Sequence, residues 1–198
     1  MKPTKDTTDR RIPRTRALLQ HALNSLILKK HYDAITVQDI CDAANVGRST
    51  FYAHYTGKDD LKRKGFEKLH KELADRQREA LATTPDAGNR NLGFSLAMFE
   101  HARDHLGNYR ALVGGRGGAV SLTTIRKMLS DLVRKELAAT ADNDSSDAVP
   151  RELVVQFVVG AYMALLTWWL DGGAKISPKR MDVMFRRLAT EGLVRSIS

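Results

Sequence analysis

Hydrophobic positions recur every three to four residues along nearly the whole chain, broken by short polar stretches. That is the period of amphipathic helices and not of strands. From Pro13, a residue suited to a helix start, Leu18, Leu19, Ala22, Leu23, Leu26 and Ile27 fall on one side, while Gln20, Asn24 and Lys29 fall outside it. The pattern therefore predicts a packed first helix preceded by a flexible basic arm over residues 1–11, too polar to offset its own ordering by burial. Between Ile35 and Leu61 the elements become short. Val37, Ile40, Cys41 and Ala44 mark a small helix with Thr36 at its N-cap and Asp39 three positions on. Asn45-Val46-Gly47 then forms a corner in which two residues tolerating positive φ flank one apolar anchor, and Arg48-Ser49-Thr50-Phe51-Tyr52 opens a second short helix.

From Lys58 a partly polar helix is predicted to about Leu81, with Leu61, Phe66, Leu69 and Leu73 as its apolar face. The stretch Thr83 to Asn89 breaks the pattern. Helical spacing resumes from Leu92 to Leu106, continues over Tyr109–Val113, and returns from about Leu122 to Ala139 through Ile125, Met128, Leu129, Leu132, Val133 and Leu137. Gly114 to Gly118 and the acidic tract Thr140 to Asp147 read as loops between helices. The segment Val149–Leu170 is apolar nearly all round, which in a soluble chain means burial on both sides. Ser177-Pro178 starts a last helix carrying Met181, Met184, Phe185, Leu188, Leu193 and Val194. The expectation is an all-α fold of about nine helices. Residues 12–57 would form a three-helix head and residues 58–198 a larger helical body.

Composition sharpens this picture in two places. The chain has 198 residues, enough for one or two full cores, and 32 Lys and Arg against 23 Asp and Glu. The excess is uneven: residues 1–66 hold 13 basic and 7 acidic side chains, so positive charge concentrates on the predicted head, as in a nucleic-acid-binding domain. A single cysteine, Cys41, on an apolar helix stripe excludes an internal disulfide framework and fits a reducing, cytoplasmic setting. The first sixteen residues lack the apolar core of a secretory signal. The long apolar run near the C-terminus is interrupted by Gln156 and carries Tyr162 and Thr167, so a buried helix is expected there and no membrane partner.

Catalytic and metal constellations are not apparent. His101 and His105 lie four apart on one helix face, but nothing completes a ligand set, and an exposed polar face is the expected reading. The glycines around Arg116 lack the preceding strand and the Lys-Ser/Thr pair of a phosphate loop. No GxSxG, Walker lysine or activated cysteine is found, so no enzyme, cofactor or metal is expected.

Two short helices, a tight corner and a run of donors opening the second one form a helix-turn-helix. The run DICDAANVGRSTFYAHYTGKDDL, within a match over about Ile12 to Leu69, resembles the N-terminal domain of the TetR family of bacterial transcriptional regulators. His31, Cys41 and Gly57 depart from the usual pattern without removing a donor. The resemblance implies DNA contacts from Thr36, Gln38, Gly47, Arg48, Ser49, Tyr52, His54 and Lys58. Gln38, Arg48 and Ser49 are candidates for base edges, and Thr36, Tyr52, His54 and Lys58 for phosphate anchors. Phe51 is expected to be the buried aromatic locking the second helix.

It further implies a homodimer on a palindromic operator and a small-molecule effector, largely apolar, that releases the DNA. The last two helices of each chain would pair through Phe157, Ala161, Leu165, Trp168, Trp169, Met184 and Leu188. Pocket walls are expected at Phe94, Met98, Phe99 and Tyr162, with His101 or Thr167 as polar groups. The competing reading is a helical dimer that binds ligands or proteins without reading DNA sequence.

Overall fold

A computed structural model describes residues 5–83, 92–113, 118–138 and 149–196. Among them are nine α-helices and one 3-10 turn, and no strand, so the all-α expectation holds. In chain order the helices are α1 (Lys5–Ile27), α2 (Val37–Ala44), α3 (Arg48–Tyr52), α4 (Lys58–Thr83), α5 (Phe94–Asp104), α6 (Leu106–Val113), α7 (Gly118–Ala138), α8 (Arg151–Asp171) and α9 (Pro178–Ser196). The 3-10 turn Tyr32–Ala34 joins α1 to α2. Of the expected loops, 84–89, 114–117 and 140–147 lie outside the described residues, whereas Thr83 and Gly118, also expected in loops, are helical, closing α4 and opening α7.

The first helix corrects one boundary. It begins at Lys5, so Pro13 lies inside it and the stretch expected as an arm through residue 11 is helical from Lys5 onward. Proline at a helix start is a preference of composition. Inside a helix it removes one N–H bond and crowds the preceding turn, which a long helix with a well-buried later half tolerates.

Two cores divide the molecule. Leu19, Leu23, Ile40, Phe51, Tyr55 and Leu61 belong to the head cluster, while Leu69 and Leu73 already belong to the body, so the division falls inside α4. One continuous helix thus carries side chains of both cores and makes them mechanically adjacent. The body core is built on aromatic rings. Tyr162 of α8 lies 5.5 Å from Phe94, 4.8 Å from Phe99 and 4.9 Å from Phe185, and Phe99 packs edge-on against Trp169 at 5.4 Å. By length and composition α8 could cross a membrane, but here Val155, Val158, Val159, Tyr162, Met163, Leu166, Trp169 and Leu170 are buried within the fold.

A buried polar network fixes the entry to α5. Leu92 adopts φ 67°, a left-handed conformation unfavourable to a residue with a Cβ. Its N–H donates to Glu136 of α7 at 2.5 Å, and its carbonyl accepts from Arg186 of α9 at 3.1 Å. Arg186 also pairs with Asp182, whose carboxylate meets the Ser95 hydroxyl, and Gln77 of α4 donates to Glu136. Next to it, Gly93 permits a close approach: a Cβ there would sit 3.1 Å from the Ala80 side chain and 3.2 Å from the Gln77 backbone. Four helices are therefore tied to one loop residue, and a buried charge is tolerable because each member is paired.

Candidate nucleic-acid interface and effector cavity

The head presents its predicted donors on a firmly built base. Thr36 closes a capping box at the start of α2: its hydroxyl accepts from the Asp39 N–H at 3.1 Å, and the Asp39 carboxylate accepts from the Thr36 N–H at 2.7 Å. Lys30 pairs with the same carboxylate at 2.7 Å, and these bonds hold Asp39 well below the usual carboxylate range. Helix α2 ends on Asn45 at φ 52°, where asparagine is tolerated, and Val46 tucks partly into the head core. Gly47 differs from expectation. Its φ is −66°, it caps α3 with its carbonyl, and an added Cβ would meet only the Ser49 hydroxyl at 3.8 Å. The corner needs one left-handed residue, and Asn45 supplies it.

Phe51 is fully buried, so α3 is pinned by its middle and Arg48, Ser49, Thr50 and Tyr52 remain exposed around it. The Arg48 guanidinium lies 5.9 Å from the centre of the Tyr52 ring. Gln38 is exposed at the first turn of α2 and donates to Asp42 at 2.7 Å, while His54 is half-buried beside Tyr55. Thr36, Gln38, Gly47, Arg48, Ser49 and Tyr52 are thus solvent-facing, and the exposed Thr50, one of the run of donors expected to open α3, lies among them.

Lys58 is elsewhere engaged. Its ammonium donates to the carbonyls of Tyr32 at 3.0 Å, Asp33 at 3.1 Å and Ile35 at 2.8 Å, which accounts for all three protons. It also lies 4.8 Å from the Tyr32 ring, whose hydroxyl donates to Asp59 at 2.6 Å. A phosphate anchor was expected at Lys58. The structure makes it the clamp between α4 and the 3-10 turn, an arrangement that helical periodicity cannot reveal because the partners are backbone oxygens.

Phe94, Met98, Phe99 and Tyr162, expected to wall a pocket, are instead fully buried against one another or their neighbours, and Tyr162 donates its hydroxyl to the Ser95 carbonyl at 3.1 Å. A cavity lies at the junction of head and body. It has a volume of about 240 Å³ and is bordered by Leu23 and Ile27 of α1, Phe66 and Leu69 of α4, and Ile125 of α7. His101, His105 and Tyr109 form its far wall. The two imidazoles stack at 4.3 Å rather than facing solvent as expected, and burial, then the neighbouring His105, lowers His101 to about 4. The i, i+4, i+8 spacing of His101, His105 and Tyr109 places them on one shared face, a signal present in the sequence. Thr167 borders a separate shallow groove beside Trp168.

On the expected dimer face the two tryptophans separate. Trp168 is 60 % exposed and Phe157 61 %, whereas Trp169 is 2 % exposed and donates its indole N–H to the Ile176 carbonyl at 2.9 Å. Trp169 is covered by its own chain, because neighbours in a helix differ by about 100° in direction and only one can face outward. Ala161, Leu165, Met184 and Leu188 are half-buried, and Leu153 and Val183 join the exposed set.

Comparison with known proteins agrees with this architecture at both ends of the chain. Residues 19–75 match the description "Bacterial regulatory proteins, tetR family", and residues 92–191 match "Transcriptional regulator C-terminal region". A Bacillus subtilis (strain 168) protein described as an uncharacterized HTH-type transcriptional regulator, YxbF, is 48 % identical over 54 residues. That stretch is 27 % of this chain and 14 % of the relative's length. The fold is shared with a TetR transcriptional regulator from Streptococcus agalactiae 2603V, at TM-score 0.63 and 24 % identity over 94 % of this chain and 99 % of that one. A TetR-family transcriptional regulator from Streptomyces coelicolor aligns at TM-score 0.60 and 20 % identity, over 91 % and 83 %. With a helix-turn-helix matched at the front and the regulator-type body matched over half the chain, this protein belongs to the TetR family of bacterial transcriptional regulators.

Proposed function

We propose that this regulator binds a palindromic DNA operator as a homodimer and is released from it by a small, largely apolar molecule. The observation that carries the reading is the exposed set Gln38, Arg48, Ser49, Thr50 and Tyr52 around a fully buried Phe51. These donors contribute nothing to the head core, yet they are presented on rigid helices where a major groove would meet them. Arg48 suits guanine and Gln38 adenine, each through paired hydrogen bonds, once Gln38 exchanges its contact with Asp42 for a base edge. Thr36, Tyr52 and His54 are assigned to the phosphates, and Lys58 is withdrawn from that role.

Dimerisation is supported by the apolar stripe Leu153, Phe157, Ala161, Ala164 and Trp168, which follows i, i+4 spacing with one three-residue step and leaves large side chains open to water. A second copy of α8 and α9 would cover it as a four-helix interface with a two-fold axis, and the same axis orients the two heads. The junction cavity is the assigned effector site, because its walls come from α1 of the head and from α4 to α7. A molecule seated there touches both cores, so it can have different affinities for the DNA-bound and free arrangements.

Fluorescence anisotropy with duplex DNA from upstream of its own gene tests the reading. Binding there at least a hundredfold tighter than to unrelated duplex is expected at physiological salt. Equal affinity for both would favour a ligand- or protein-binding dimer with a merely basic head.

A further inference from the structure

Lys62 stands at the boundary between the junction cavity and the head, and its surroundings specify more than a binding volume. It borders the 240 Å³ cavity, and its ammonium lies 4.5 Å from the centre of the Tyr32 ring, on the turn between α1 and α2. Lys58 occupies the same ring at 4.8 Å and is held by three carbonyls. Lys62 has no such anchorage: among the described residues no carboxylate lies within ion-pair distance of it. Burial accordingly pulls its ammonium below the ordinary lysine value, although Asp59 and Asp33 act in the opposite direction.

The other charges of the cavity cancel. Lys68 pairs with Glu72 at 3.6 Å, and with the histidines counted as neutral, Lys62 leaves the lining at one net positive charge. A largely apolar chamber, with Gln20, Asn24, Asn108 and Ser121 also on its wall and a half-buried ammonium without an ion-pair partner at its edge, is complementary to a mainly apolar molecule bearing one negative charge. We infer that the effector is an amphipathic monocarboxylate whose apolar part fills the chamber between Leu23, Phe66, Leu69 and Ile125 and whose carboxylate pairs with Lys62. That pairing competes with the Tyr32 ring for the same ammonium, so the ligand draws Lys62 off the head and loosens one of the ties by which α4 holds the 3-10 turn. The inference rests on the junction cavity being the effector site and adds the charge class of the molecule and the residue that reads it.

Octanoate, octanol and octylamine, which share a chain and differ in charge, are suitable probes by calorimetric titration of the full chain. Octanoate is expected to bind about tenfold tighter than octanol, with octylamine weakest. In Lys62→Met, and in Lys62→Gln as a second variant should the first be poorly folded, the preference of octanoate over octanol should shrink to within about twofold while octanol binding persists. Ile125→Trp, which fills the chamber, should abolish all three. An NMR measurement of the Lys62 side-chain methylenes reads the displacement directly: octanoate should relieve their ring-current shift from Tyr32, and octanol should not. Equal binding of octanoate and octanol to the natural chain would overturn the inference. So would an octanoate preference that survives both Lys62 variants, an unmoved Lys62 signal, or no binding by any of the three. These titrations contain no DNA, so a Lys62-dependent preference for octanoate in a protein that fails the operator test would sink the regulatory reading and leave the ligand assignment standing.

Discussion

Replacing Lys58 with methionine separates two roles that the sequence confuses. The substitution keeps the aliphatic stem and removes the ammonium that bonds the carbonyls of Tyr32, Asp33 and Ile35. A hydrogen bond from a charged donor contributes on the order of 1.5–3 kcal/mol where water is excluded. Here the site is half-buried, and water can replace part of what is lost, so the whole clamp is expected to contribute about 2 kcal/mol and not three full increments. In a chain of this size each 1 kcal/mol moves the melting temperature by roughly 2–4 °C, giving an expected drop of about 4–8 °C by circular dichroism. Operator binding measured well below the melting point should keep its salt dependence. A lost phosphate contact in each protomer of the dimer would instead flatten the slope of log K against log salt by about 1.8, or about 0.9 per contact. An unchanged melting temperature together with a flattened slope would refute the clamp and return Lys58 to the DNA.

Three further outcomes follow from the same geometry. Arg48→Ala should lose roughly 1–3 kcal/mol per half-site on a specific site and much less on random duplex, read by anisotropy; equal losses on both would demote Arg48 to a phosphate contact. Trp168→Glu should give monomers in sedimentation with unchanged helix content, whereas Trp169→Ala, emptying a core position against Phe99, should cost about 3–5 kcal/mol of stability; the reverse pattern would invert the assignment of the two rings. His101 is held at about 4 in the fold, below its unfolded value near 6.5, so the unfolded chain binds the extra proton between those values. Stability is therefore intact above about pH 6.5 and lost as pH falls toward 4, by on the order of 3 kcal/mol. His101→Gln should remove that component from the urea midpoint measured across pH, and an identical pH profile for both proteins would contradict the half-buried, neutral imidazole.

The sequence disclosed what local rules govern. The capping pair Thr36 and Asp39, the buried Phe51 and the stripes of α4 and α7 depend on neighbours one helical turn away, and each is visible as spacing. What stayed hidden depends on partners distant in the chain. Lys58 finds carbonyls some 23 to 26 residues back, and the left-handed Leu92 is bonded to Glu136 and Arg186 across the body. Trp168 and Trp169 look equivalent in a run that is apolar on every side, and only the placement of Phe99 and Ile176 distinguishes them. The position of the cavity is hidden for a related reason: aromatic density signals a well-packed core, while an opening forms where two cores meet imperfectly, here between α1 and the body.

The central claim is that the exposed residues of α2 and α3 read DNA as a symmetric pair, and selection of bound duplexes from a fully random library tests it whatever the operator sequence. The account predicts enrichment of an inverted repeat whose half-sites are separated by about one helical turn or a small multiple of it, lost in Arg48→Ala and in Trp168→Glu. Emergence of no common sequence, or of a single half-site bound equally well by the monomeric variant, would contradict it.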